Sequence, residues 1–133
     1  MQNPPPYGAP VAAGGKSSTG LDANLAALLA YLFGWVGGLV FYLIEKESRF
    51  VRFHAMQSIL LNVAVIAVVI AFMCVNTVLA FISGTLAVLF GLLWFVILIA
   101  IVGIAVLCMV KAFQGQEFKL PVIGDMAANI VNK

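Results

Sequence analysis

At 133 residues the chain is the length of one domain. Its composition excludes an ordinary water-soluble one. It is 64% hydrophobic and 9% charged, whereas a solvated surface needs about 25% charged residues. The net charge of +2 is small, and no basic stripe with interleaved aromatics is present, so nucleic acid is not an expected partner.

Residues 1–20 hold four prolines and four glycines with almost nothing to bury, which predicts a disordered tail ahead of a membrane domain over 21–133. Three uncharged apolar runs follow: Leu25 to Ile44, Ala55 to Val75 and Leu86 to Val110. Each reaches the ~20 residues that a helix rising 1.5 Å per residue needs to cross a hydrocarbon core about 30 Å thick. Strands of a closed barrel alternate in hydrophobicity, and these runs do not. The expected fold is therefore all-α, an integral membrane bundle of three transmembrane helices.

Along the first helix Ala23, Ala27, Ala30, Gly34 and Gly37 or Gly38 recur at steps of three and four, placing small residues in one stripe. Gly34 and Gly38 form a G-x-x-x-G pair, the pattern that lets helices approach closely in lipid. It suits packing within this chain or the seam of a homo-oligomer. Trp35 and Trp94 lie well inside their runs and read as packing residues. The loop E-K-E-S-R-F-V-R at 45–52 allows a Glu45–Arg49 pair at i,i+4 spacing. Arg49 and Arg52, beside Phe50 and Phe53, are the candidates for contact with anionic lipid headgroups.

The second run opens on a polar ladder. His54, Ser58 and Asn62 are four residues apart, on one helical face, with Gln57 beside them. The ladder climbs about 12 Å from the interface. A polar side chain at that depth bonds to a neighbouring helix or lines a hydrated entrance. The stretch 76–85 reads as a short uncharged turn. Beyond Gln114-Gly115, a helix stop, Val122, Ile123, Met126, Ala127, Ile130 and Val131 recur at helical spacing and predict a short amphipathic helix lying on the membrane.

No catalytic, metal-binding or cofactor-binding set emerges. His54 is the chain's one histidine, and too few acidic residues accompany it for a metal site or a Ser-His-Asp triad. Cys74 and Cys108 sit inside apolar runs, which makes a disulfide framework improbable. With three crossings, six basic residues share the side of the 45–52 loop and Lys16 lies opposite. The positive-inside rule then puts the N-terminus outside and the C-terminus in the cytoplasm of a multi-pass plasma-membrane protein.

R-F-V-R-F-H-A-M-Q-S at 49–58, with K-L-P-V-I-G at 119–124, resembles a family of small bacterial and archaeal membrane proteins of unknown function. That family is similar to the channel-forming component of the chloroplast inner-envelope import translocon and to magnetosome-membrane proteins. The resemblance maps onto Phe53, His54, Ala55 and Gln57 and onto Leu120, Pro121, Ile123 and Gly124. It implies no catalytic residue. Two expectations of function follow: a non-catalytic structural or interaction module of the membrane, with lipid or membrane-protein partners, or a component of a protein-translocation or small-solute channel.

Overall fold

The computed structural model describes residues 17–132. Its regular elements are five α-helices: α1 (Ala23–Leu32), α2 (Gly34–Ile44), α3 (Arg49–Ile82), α4 (Gly84–Phe113) and α5 (Ile123–Val131). The Pro/Gly-rich stretch lies outside the described residues up to position 16. Residues 17–20, expected to belong to the tail, instead form a turn in which Gly20 N–H donates to the Ser17 carbonyl at 3.1 Å.

Two of the apolar runs are single long helices, each apolar and long enough to cross a membrane. α3 has 34 residues, about 51 Å, and α4 has 30, about 45 Å. α3 does not stop at Asn76. Thr77 donates its hydroxyl to the Met73 carbonyl at 2.8 Å, a bond made within helical geometry. The expected ten-residue turn shrinks to Ser83, whose hydroxyl accepts from Leu86 N–H at 3.4 Å at the start of α4.

The first run does not form one crossing helix. It breaks at Phe33–Gly34, where Gly34 adopts φ +64°. In L-residues that left-handed conformation brings Cβ against the following carbonyl; glycine has none. The halves, of 10 and 11 residues, are about 15 Å long and too short to span hydrocarbon singly. They fold back on each other, because the two ends of the run meet. Ser18, before α1, donates its backbone N–H to the Glu45 carboxylate, beyond α2, at 2.9 Å and its hydroxyl at 2.6 Å. The expected three crossings are not confirmed: the chain has two helices long and apolar enough to cross a membrane, and its first run is a helical hairpin.

The chain divides into two compact units. One comprises the described residues through Asn62 together with 107–132; the other is Val63–Val106. In the first, Ala23, Ala26, Ala27 and Ala30 of α1 are buried with Phe41 of α2, Phe50, Val51 and Ala55 of α3, and Cys108 and Ala112 of α4. These small residues pack within the chain, and Gly38 brings α2 close to α3. A Cβ there would stand 2.8 Å from the Ala55 carbonyl oxygen and 3.0 Å from Ile59 Cγ1. α5 lays Ala127 and Ala128 against Phe53, Met56 and Leu60. In the second unit Phe72 stacks on Phe90 with centroids 4.6 Å apart and lies 5.2 Å from Trp94. Trp94 therefore packs as expected, while Trp35 is 54% exposed.

Gly34 and Gly38 consequently respond differently to substitution. Space is open at Gly34, where a Cβ would meet only Asn62 Oδ1 at 3.7 Å, so its constraint is conformational. Gly34→Ala is expected to lower stability in detergent by about 1–2 kcal/mol, and Gly34→Asn by less, since asparagine tolerates φ > 0. Gly38→Ala is expected to cost about 1–3 kcal/mol through overpacking. Equilibrium unfolding in mixed micelles measures all three; Asn and Ala costing the same at Gly34 would show that its φ is not the constraint.

Candidate functional site

The polar ladder on α3 is the centre of the first unit, and it faces protein. His54, Gln57 and Ser58 are fully buried, and Asn62 is half-buried. His54 Nε2 lies 3.0 Å from the Gln116 carbonyl oxygen. A carbonyl only accepts, so Nε2 carries the proton and Nδ1 is the acceptor. Nδ1 takes the Tyr31 hydroxyl proton at 2.8 Å. Gln57 Nε2 donates to that hydroxyl oxygen at 2.7 Å and to the Phe118 carbonyl at 2.9 Å. Its Oε1 accepts from Leu120 N–H at 3.1 Å. Donors and acceptors alternate throughout, so a neutral His54 satisfies the whole network. Phe50, Phe53 and Tyr31 pack edge-on around its ring, with centroids 4.6–5.5 Å away.

The upper rungs serve the break in the first run. A chain reversal inside a helical segment frees carbonyls that the helix would otherwise use. The Ser58 hydroxyl donates at 2.8 Å to the Ala30 carbonyl, which the break frees, and lies 3.3 Å from the carbonyl of Gly34, the first residue of α2. Asn62 donates from Nδ2 to the Ser58 carbonyl of its own helix at 2.8 Å. The ladder thus binds two separate segments to α3: the hairpin through Tyr31, Ala30 and Gly34, and residues 116–120 through Gln116, Phe118 and Leu120.

The charged groups form a second layer. Arg49, expected to pair with Glu45 and to meet lipid, instead binds Glu117 through Nη1 and donates from Nε to Asn132 Oδ1 at 2.7 Å. Arg52 donates to the Tyr42 and Glu45 carbonyls at 3.2 and 2.8 Å and stacks 4.4 Å over the Tyr42 ring. It closes the C-terminal end of α2, where a cation suits the helix dipole. Both guanidinium groups, proposed as headgroup contacts, therefore bind protein.

Glu45 is fully buried. Its burial alone would raise the carboxyl pKa. The Ser18 hydroxyl and the backbone N–H groups of Ser48, Ser18 and Glu47 outweigh that and hold it below the ordinary carboxylate value. Because the folded group titrates below the unfolded one, this contribution is complete above the unfolded pKa and is lost as pH falls through the folded pKa. Glu117 behaves oppositely. Burial raises its pKa, and the nearby Arg49 and Lys119 only partly offset this. Among the described residues, no three His, Cys, Asp or Glu side chains are placed to hold a metal ion.

Sequence reasoning placed the ladder correctly on one face and missed its partners. Nothing in the sequence marks Tyr31 or residues 116–118 as its partners, and Glu45 falls in the hydrophilic 45–52 loop. Only the Lys119–Gly124 motif signalled that the last segment matters. Gly124 explains part of it, since a Cβ there would lie 2.6 Å from the Lys119 Cα. The turn leading into it places Val122 at φ 65°, ψ −53°, with Ile123 N–H donating to the Pro121 carbonyl at 2.7 Å. This is the geometry of a γ-turn.

An all-α chain with two long uncharged apolar helices, and every Lys, Arg, Asp and Glu outside residues 63–106, belongs to the class of small helical membrane proteins. Comparison with known proteins agrees. The chain is a member of the magnetosome magnetite crystal formation protein family, whose family model matches residues 18–127. It is similar to two UPF0132 membrane proteins of Methanocaldococcus jannaschii. One is 44% identical over 115 residues, covering 85% of this chain and 92% of that protein. The other is 37% identical over 110 residues, covering 81% and 69%. A UPF0132 membrane protein of Archaeoglobus fulgidus is 38% identical over 112 residues, covering 80% and 93%. No solved structure matches the chain. These relatives place it in the membrane and agree with the resemblance to small membrane proteins of unassigned function.

Gln57 is the residue on which the network turns. Gln57→Leu strips partners from the buried Tyr31 hydroxyl, the Phe118 carbonyl and the Leu120 N–H at similar side-chain volume. It is expected to destabilise by about 1–3 kcal/mol for each group left unsatisfied. Tyr31→Phe, which deprives only His54 and Gln57 of the shared hydroxyl, is expected to cost less. Denaturant titration of both variants in micelles checks the order, and equal losses would mean that residues 116–120 do not depend on Gln57.

Proposed function

We propose that this protein is a non-catalytic structural module of the plasma membrane, working through its fold and its lipid contacts. The carrying observation is how its polar ladder is spent. His54, Gln57 and Ser58 direct their hydrogen-bonding groups to Tyr31, Ala30, Gly34, Gln116, Phe118 and Leu120. A hydrated path or reaction centre needs polar groups turned toward a cavity.

In this reading α3 and α4 cross the bilayer, and the α1–α2 hairpin enters from and returns to one face. Ser18, Glu45, Arg49, Glu117 and Asn132 then share that face. All seven Lys and Arg residues flank it in the sequence, and basic residues in short loops stay cytoplasmic. Both termini are then cytoplasmic, in place of the outside N-terminus that three crossings require. With Arg49 and Arg52 engaged internally, exposed Lys46 and half-buried Lys111, among the described residues, are available to anionic headgroups.

The competing reading, a translocation or solute channel of the kind that the chloroplast likeness implies, differs in one measurable way. Single cysteines at Asn62, Ile66 and Val69, in a background lacking Cys74 and Cys108, are tested with a water-soluble thiol reagent, and Lys46→Cys serves as the reactive control. A packed module leaves all three unreactive, since thiols in hydrocarbon do not ionise. Reactivity continuing through Val69 in protein whose melting is unchanged would replace the module with a channel.

A further inference from the structure

The first apolar run is held in a shape that its own sequence does not require. Leu25 to Ile44 carries no charge. As one continuous helix it would be about 30 Å long, the thickness of the hydrocarbon core. Apart from Phe33, every residue from Ala23 to Ile44 already lies in α1 or α2. Phe33 sits at φ −89°, ψ 12° and Gly34 at φ +64°. Glycine takes negative φ about as readily as positive. Rotation about these two residues is therefore what separates the broken run from a straight one.

Polar contacts keep it broken. The Ser58 hydroxyl donates to the Ala30 carbonyl at 2.8 Å, a carbonyl that a straight helix would satisfy with its own amide. Tyr31 is bonded to His54. The two ends of the run are clasped at Glu45. Its carboxylate accepts the Ser18 backbone N–H and hydroxyl and the N–H groups of Glu47 and Ser48, at 2.6–3.0 Å. Straightening gives up the Tyr31 bond and the clasp, which makes the hairpin the resting form.

Charge does not oppose the change. Of the seven Lys and Arg residues, six follow the run and Lys16 precedes it. A straight run would move Lys16 and Asp22 across together, one charge of each sign. The six basic residues would keep their cytoplasmic side in either form. From these features we propose that the run is a two-state element: a resting hairpin, and a single membrane-crossing helix that carries residues 17–24 to the opposite side. Gly34 is its hinge, and the Ser18–Glu45 clasp is its control point. Whatever draws Ser18 or Glu45 out of the clasp shifts the population toward the straight form. The inference rests on the hairpin in the reading above.

The test follows Thr19→Cys and Lys46→Cys, each alone in the full chain with both native cysteines replaced, in intact cells given an impermeant thiol reagent. The readout is the labelled fraction of the protein present in the membrane. With hinge and clasp intact, Thr19→Cys stays protected. Gly34→Ala disfavours positive φ, and it is expected to raise outside labelling of Thr19→Cys about tenfold. Gly34→Asn, which tolerates that φ, raises it less. Ser18→Ala combined with Glu45→Gln is expected to raise it as Gly34→Ala does, while Lys46→Cys stays protected throughout. Gly124→Ala serves as the control, because it crowds Lys119 in the same unit without touching the run; labelling is expected to stay at the starting level. A fraction unmoved by Gly34→Ala and by the clasp variant, or moved equally by Gly124→Ala, would overturn the proposal. Labelling of Thr19→Cys with hinge and clasp intact removes the hairpin reading; protection in every variant removes the two-state element alone.

Discussion

The fold depends on satisfying backbone carbonyls where water is absent. Breaking the first apolar run at Gly34 takes from the Ala30 carbonyl the amide that a continuous helix would give it, and the Ser58 hydroxyl donates to that carbonyl at 2.8 Å. In hydrocarbon each unsatisfied backbone group costs several kcal/mol, which is why non-helical chain at that depth is found only against protein or water. In the proposed hairpin, one hydroxyl on the facing helix permits a reversal that hydrocarbon would otherwise forbid. The glycine supplies the conformation, and the serine makes it tolerable.

The remaining polar residues follow from that reversal. A hairpin that turns back delivers Glu45 to the layer where α1 began, and Ser18 meets it there. Arg52 can then close α2, and Arg49 is left to Glu117 and Asn132. Lower down, Tyr31 comes level with His54 and Gln57, whose remaining capacity holds residues 116–120. Polar side chains in this unit behave as rivets between apolar segments. Apolar attraction is weak between helices in lipid, and close packing with hydrogen bonds takes its place.

The helical class, the two long helices, the small-residue packing of α1 and α2, and the ladder's common face were all legible in the sequence, because each depends on local composition or on the 3.6-residue period. The hairpin was not. Leu25 to Ile44 is uninterrupted and apolar, and Gly34, Gly37 and Gly38 read equally well as packing residues or as breaks. What decides between them is Ser58, 24 residues away, a contact that no periodicity encodes. For the same reason Arg49 seemed paired with nearby Glu45, and its actual partner, Glu117, lies 68 residues on. Reading the run as a hairpin instead of one crossing also changes the side on which the proposal above puts the N-terminus.

The central claim is that the first apolar run enters and leaves by one face, and it is open to direct measurement. Thr19 and Lys46 flank that run, and both are exposed. Single cysteines at each, in a background lacking Cys74 and Cys108, are treated in intact cells with an impermeant thiol reagent and again after permeabilisation. The account predicts the same result at both positions, protected in intact cells and labelled once the membrane is opened. Labelling of Thr19→Cys from outside with Lys46→Cys protected would mean that the run crosses the bilayer, and it would contradict the hairpin's return to one face.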